Sequence, residues 1–163
     1  MQIAVGADHA GYELKEKLKF HLERLGHAVD DCGTASSNSC DYPDFAHAVA
    51  CRVASGAAQR GVLVCGSGIG MAIAANKTPG VRAANISSEY EARMSREHND
   101  LNVLTMGARI LDEEQAMAIV DVWLHTRFAG GRHQQRLEKL AGLETPKPLT
   151  ESLLGCAPPK GVK

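Results

Sequence analysis

No run of about 18 consecutive apolar residues occurs in the 163-residue chain, so a membrane-spanning helix is not expected. Nor does a basic segment precede an apolar stretch of signal length. Met1 leads directly into a short apolar run, and the expectation is a cytoplasmic protein without a signal peptide. An excess of one charge is missing as well: 18 basic and 19 acidic residues leave a net charge of -1. Nothing global therefore favours nucleic acid or an anionic membrane, and any anion site has to be local. No two of the five cysteines, Cys32, Cys40, Cys51, Cys65 and Cys156, have C-x-x-C spacing. That excludes the usual zinc and redox motifs and leaves reduced thiols as the simplest expectation. Internal repeats and low-complexity blocks are also absent.

What is present is an alternation of short apolar runs with helical patterns. Residues 3–6, 28–30, 62–65, 81–86 and 103–106 read as strands, mostly apolar throughout. Such runs suit a parallel sheet covered on both faces. Between the first two, Leu14, Leu18, Leu22 and Leu25 share one helix face. Phe45, Val49 and Val53 form a second stripe, and Ile119, Val120, Trp123 and Leu124 a third. These stripes are core faces. Ser88 with Glu91 and Asp112 with Gln115 have the spacing of a helix-capping side chain and its reciprocal acceptor. A last helix is expected over residues 134–141.

The sum is one Rossmann-like domain over residues 1–144: three α/β/α layers around a five-stranded parallel sheet, joined by right-handed crossovers. Residues 145–163, with Pro146, Pro148, Pro158 and Pro159, are expected to be a mobile tail.

Ligands of such sheets bind beyond the carboxyl ends of the strands. Strand one ends in Gly6-Ala7-Asp8-His9-Ala10-Gly11, which brings a carboxylate and an imidazole to that edge. Strand three ends in Cys65-Gly66-Ser67-Gly68-Ile69-Gly70, ahead of a helix start over residues 71–76. Glycines there let backbone N–H groups approach an anionic oxygen, although alone the loop is equally a structural turn. A thiol at Cys65, beside a helix N-terminus, has its thiolate favoured and can serve as a base; the plainer reading is a small buried hydrophobe. Ser67 offers a hydroxyl for proton relay.

Arg132 and Arg136 stand four apart, so on one helix their side chains leave the same face and can grip one phosphate. A solvated helix face is the alternative, but Gly130-Gly131 just before them suggests a tight approach. Arg109, just past strand five, belongs near the ligand edge. His98 and Asn99 fall at a helix C-terminus, where capping alone explains an imidazolium and a residue tolerant of the left-handed conformation. His21, His27, His47, His125 and His133 have no comparable claim.

The strand-one and strand-three segments, with Asp41-Tyr42-Pro43, Ala74-Ala75-Asn76-Lys77, Arg96-Glu97-His98-Asn99-Asp100 and Gly130-Gly131-Arg132-His133-Gln134-Gln135-Arg136, resemble the ribose-5-phosphate isomerase type B family over residues 1–142. The resemblance implies a metal-free, cofactor-free aldose–ketose isomerase working through ring opening and an enediolate. It makes Cys65 the base that moves a proton between C1 and C2, His98 the ring-opening group and Asp8 its assistant, with Ser67 nearby. It further implies that His9, Arg132 and Arg136 hold the phosphate and that Tyr42, Asn99 and Arg109 match ligand-binding positions. The amides of Gly66, Gly68, Ile69 and Gly70 would face the enediolate oxygen. Another branch carries a glutamate where Met71 stands here, so this chain falls with the cysteine branch.

The same resemblance implies a homodimer with shared active sites, or a tetramer. It leaves open a six-carbon substrate such as allose or galactose 6-phosphate. Two other classes fit less well. A dinucleotide-binding enzyme needs its G-x-G-x-x-G after strand one, and a receiver-like signalling domain needs an aspartate where Cys65 stands.

Overall fold

The computed structural model describes residues 1–144, so the expected tail, with Cys156, lies outside the described residues. Five strands, β1 (Gln2–Ala7), β2 (Ala28–Asp31), β3 (Arg60–Cys65), β4 (Ala83–Asn85) and β5 (Val103–Gly107), form one sheet in the order β2-β1-β3-β5-β4. Every pairing is parallel. The helices are α1 (Tyr12–Arg24), α2 (Tyr42–Ala54), α3 (Ile69–Ala75), α4 (Glu89–Asn99), α5 (Glu113–His125) and α6 (Arg132–Ala141). The expected architecture is therefore the observed one.

Alternation along the strands divides the core in two. Ile3, Val5, Val62, Val64, Leu104 and Met106 face one way and pack with residues of α1, α4 and α5, including Leu14, Leu18, Leu22 and the fully buried Trp123. Ala4, Leu63, Cys65 and Val103 face the other way and pack with Val49 and Val53 of α2 and Met71 and Ala75 of α3. Burying each such leucine or valine contributes roughly 2 kcal/mol, which drives both layers onto the sheet.

Helix starts follow the capping chemistry. Asp112 and Gln115 form a reciprocal capping box at α5. At α4, the Ser88 side chain accepts from Glu91 N–H, but the Glu91 carboxylate reaches back to Ser87 rather than Ser88. Five other expectations shift, the first being that α3 begins at Ile69, two residues before its expected start. Leu25 lies past the end of α1 and is 40% exposed. Only Ala83–Asn85 of the fourth apolar run is strand, because it is an edge strand paired on one side, while Val81 and Ile86 are buried beyond its ends. Helix α6 begins two residues early, at Arg132. The left-handed residue closing α4 is Asp100, at φ 45°, with Asn99 inside the helix.

Candidate active site

The strand order turns at β1: the chain moves outward to β2, then returns across β1 to β3. The loops after β1 and β3 consequently diverge to opposite faces and leave a crevice between them. Ala7 pairs with Val64, and Asp8 N–H donates to Val64 C=O at 3.2 Å, so Asp8 and Cys65 are brought together at this crevice. Both are buried, at 8% and 5% exposure. A cavity of about 340 Å³ opens there, lined by Asp8, Tyr42, Cys65, Gly66, Ser67, Gly70, Arg109 and Ile110.

Each wall has a local cause. Asp8 Oδ1 accepts from Ala10 N–H at 2.9 Å and from Gly11 N–H at 3.0 Å, which fixes the carboxylate at the turn into α1. His9 follows it, half-buried, its Nδ1 accepting from Cys40 N–H at 3.3 Å. Cys65 Sγ accepts from Gly68 N–H at 3.1 Å. Gly68 has φ 80°, where a Cβ would stand 1.9 Å from Asn85 Oδ1, so only glycine fits. Ile69 N–H approaches Ser67 Oγ at 3.4 Å. The Tyr42 ring lies against Gly70, where a Cβ would come within 2.8 Å. Arg109 is held by its own N–H on Gly66 C=O at 3.1 Å, and its guanidinium lies beside Gly66. The loop after β5 is thus stapled to the loop after β3, as the sequence position of Arg109 suggests.

A second group gathers elsewhere. His98 stacks on His133, and Glu97 C=O accepts from Ala129 N–H, so the segment leading into α6 is tied to the end of α4. Gly130 and Gly131 both have positive φ at that entry. Arg132 and Arg136 are both helical and exposed on α6. The end of α4 sits at the amino edge of the sheet: Arg82 Nε, just before β4, donates to Asn99 C=O at 3.0 Å. Gly61, near the start of β3, donates to Asn102 C=O. Four residues of strand separate Gly61 from Cys65, about 13 Å at the usual rise. Asn99 lines a different cavity, about 470 Å³, with Arg82, Ser95 and Leu140. Within one chain, then, Asp8, Tyr42, Cys65, the glycine loop and Arg109 converge, whereas His98, Asn99, Arg132 and Arg136 form a separate cluster.

Some participants were not singled out in the sequence, and His133 was set aside there. Ile110 lines the cavity. His133 is 7% exposed with an unpartnered Nδ1; its place between Arg132 and Arg136 in the G-G-R-H-x-x-R run was its only signal. Cys32, Cys40, Cys51 and Cys65 are free thiols. Among the described residues no group of three His, Cys, Asp or Glu has metal-site geometry, and no helix is long and apolar enough to cross a membrane.

Comparisons with known proteins agree with this fold. Ribose-5-phosphate isomerase B of Escherichia coli K12 is 48% identical over 143 residues, covering 88% of this chain and 96% of that protein. The enzyme of the same name from Mycobacterium tuberculosis is 41% identical over 146 residues, covering 88% of this chain and 90% of that one. Among solved structures, ribose-5-phosphate isomerase B of Clostridium thermocellum superposes with a TM-score of 0.88 at 49% identity, covering 88% and 97% of the two chains. That of Mycoplasma genitalium, solved with bound ribulose 5-phosphate, gives 0.85 at 39% identity, covering 88% and 95%. The family model for Ribose/Galactose Isomerase matches residues 3–140, and with a parallel sheet that sets a thiol, a carboxylate and a glycine loop at one crevice, the chain belongs to that family.

Proposed function

We propose that this protein interconverts ribose 5-phosphate and ribulose 5-phosphate, without metal or cofactor, in the cytoplasm. The observation that carries the reading is the crevice between β1 and β3, where Cys65, Asp8 and the loop residues Gly66, Ser67 and Gly70 line one cavity. The names borne by relatives as similar as the Escherichia coli protein support the substrate.

The reaction proceeds in two stages. His98 and Asp8 move the protons that open the cyclic aldose: one is delivered to the ring oxygen as another leaves the C1 hydroxyl. The Cys65 thiolate then removes the C2 proton. Electrons move into an enediolate whose oxygen is held by the N–H groups of the Gly66–Gly70 loop. Ser67 relays a proton between O1 and O2, and the thiol returns its proton to C1, giving the ketose. Hydrogen changes place within one molecule, so no external oxidant or reductant is consumed. His9, Arg132 and Arg136 hold the phosphate, with Tyr42, Asn99 and Arg109 completing the grip on the sugar.

This assignment needs His98 and the arginines at a cavity they do not line in their own chain. The reading is therefore of a homodimer, or a tetramer built from such dimers, in which a neighbour supplies the cluster of His98, Asn99, Arg132 and Arg136. The exposed apolar side chains about the crevice, Tyr42, Ile69, Ile73 and Ile110, suit a subunit contact. Residues 1–144 are taken as the isomerase unit.

A substrate panel tests the function. Purified protein given ribose 5-phosphate, allose 6-phosphate and galactose 6-phosphate should turn over the five-carbon sugar with a kcat/KM at least about 10-fold higher, the discrimination expected of a pocket that must reject one extra carbon. Preference for a six-carbon phosphate overturns the substrate, and turnover of none overturns the reaction.

A further inference from the structure

Thr105 is the one polar side chain in the strand Val103–Gly107, and it is fully buried. A hydroxyl there costs stability unless it is hydrogen-bonded, and its partner is informative. Thr105 Oγ1 donates to the carbonyl of Gly68 at 2.9 Å, across 37 residues of chain. Asn85, its register neighbour on β4, donates from Nδ2 to the carbonyl of Ser67 at 3.0 Å. Two adjacent side chains on the same face of the sheet thus grip two consecutive carbonyls of the glycine loop. Neither side chain lines the cavity.

A trans peptide is planar, so its C=O and N–H point in opposite directions, and fixing one fixes the other. The carbonyl held by Asn85 belongs to the same peptide as Gly68 N–H, which donates to Cys65 Sγ at 3.1 Å. The carbonyl held by Thr105 belongs to the same peptide as Ile69 N–H, which points toward Ser67 Oγ. The loop does not hold these orientations by itself. Glycine at Gly68 accepts either sign of φ, and a flip of the preceding peptide would aim a carbonyl oxygen at the sulfur in place of an N–H. The first turn of α3 adds one restraint, Ala72 N–H on Gly68 C=O at 3.2 Å, and leaves the Ser67 carbonyl to Asn85.

We propose that Asn85 and Thr105 are positioning residues for catalysis, acting through these two peptide planes to keep the N–H of Gly68 on the Cys65 sulfur and the N–H of Ile69 turned into the site. This rests on the reading of Cys65 as the base. Their work is orientation, so their loss lowers the rate of proton transfer and spares phosphate binding.

The test uses Thr105→Val, which keeps the buried shape and loses the hydroxyl, Asn85→Asp, which keeps the shape and loses the donor, and Thr105→Ser as the conservative rescue. Thr105→Val and Asn85→Asp should each lower kcat for ribose 5-phosphate about 10- to 100-fold while KM stays within about 3-fold. Thr105→Ser should recover most of the rate. In a Cys65→Ala background, Thr105→Val should cause no further loss, because the brace then has nothing to position. A purely structural role predicts a lower Tm with kcat and KM unchanged at 25 °C, and that result for both variants overturns the proposal. An equal further loss in the Cys65→Ala background also overturns it. Full activity in Cys65→Ala itself would instead remove the base on which the proposal depends, a separate outcome read in the same series. Should Thr105→Val fold poorly, Asn85→Asp, at an exposed edge position, decides the question alone.

Discussion

The imidazole rings of His98 and His133 lie parallel, their centroids 4.3 Å apart and their planes 7° from one another. Burial, and beside it His98, Arg132 and Arg136, push the His133 imidazole below its ordinary value. A neutral His133 can therefore lie against the His98 ring without like-charge repulsion between the two. The stack joins α4 to α6 at the residues assigned to ring opening and phosphate binding.

His133→Ala should lower kcat/KM for ribose 5-phosphate about 5- to 10-fold, since an aromatic pair is worth about 1 kcal/mol. His133→Phe keeps a flat ring there and should retain most of the activity. Steady-state kinetics of both variants checks this. Equal losses would show that an imidazole nitrogen matters rather than the stack.

Cys65 and the arginines should leave different kinetic marks. Cys65→Ala should lower kcat by at least about 100-fold, the lower end for losing a general base, while phosphate-bearing inhibitors still bind. Arg132→Ala or Arg136→Ala should chiefly raise KM, because phosphate contacts are made in both the ground and the transition state. Unchanged KM in both arginine variants would put the phosphate elsewhere.

The separation of Cys65 from His98 within one chain makes a complementation experiment decisive. Co-expressing inactive Cys65→Ala with inactive His98→Ala should return about a quarter of wild-type activity, since half the randomly paired dimers are mixed and half of their sites are whole. Mixed dimers that form and stay at background would mean that His98 acts within its own chain.

Acid should loosen the β2 end of the crevice. Lys15, at 1% exposure, donates to both oxygens of Asp31 at 2.8 and 2.9 Å and to Thr34 C=O at 2.8 Å. The same loop pairs with Ala7, next to Asp8. Burial pushes the Asp31 carboxyl up, but hydrogen bonds from Lys15, Lys19 and Gly33 N–H outweigh it and leave the group below its ordinary value. A depressed carboxyl contributes stability that is present above its unfolded pKa and lost as pH falls through the folded one. Asp31→Asn should destabilise the protein by about 1–3 kcal/mol at pH 7, and the difference from wild type should shrink below about pH 4. Urea denaturation at several pH values measures both; a gap constant into acid would assign the loss to packing.

Much of the fold was legible in the sequence because its signals are local. Strand hydrophobicity, the stripe of Leu14, Leu18 and Leu22, and the capping box of Asp112 and Gln115 each depend on residues a few positions apart. The boundaries that moved, at β4 and at the start of the arginine helix, lie where an edge strand or a glycine turn leaves the choice to neighbours. Asp8, Cys65, the glycine loop and Arg109 were legible as strand-end residues, since the carboxyl edge of a parallel sheet is where ligands bind.

The sequence by itself determined the β–α alternation, the two-sided burial of the strands and the chemistry available at each strand end. Only the tertiary structure decided which ends meet. The order β2-β1-β3-β5-β4 seats Asp8 beside Cys65 and pairs Asn85 with Thr105 beneath the glycine loop, while the run of α4 carries His98 to the opposite edge and onto His133. The reason is physical: periodicity states which face of a strand or helix is buried, but neighbours across a sheet are selected by how whole faces pack, and no local pattern encodes that choice.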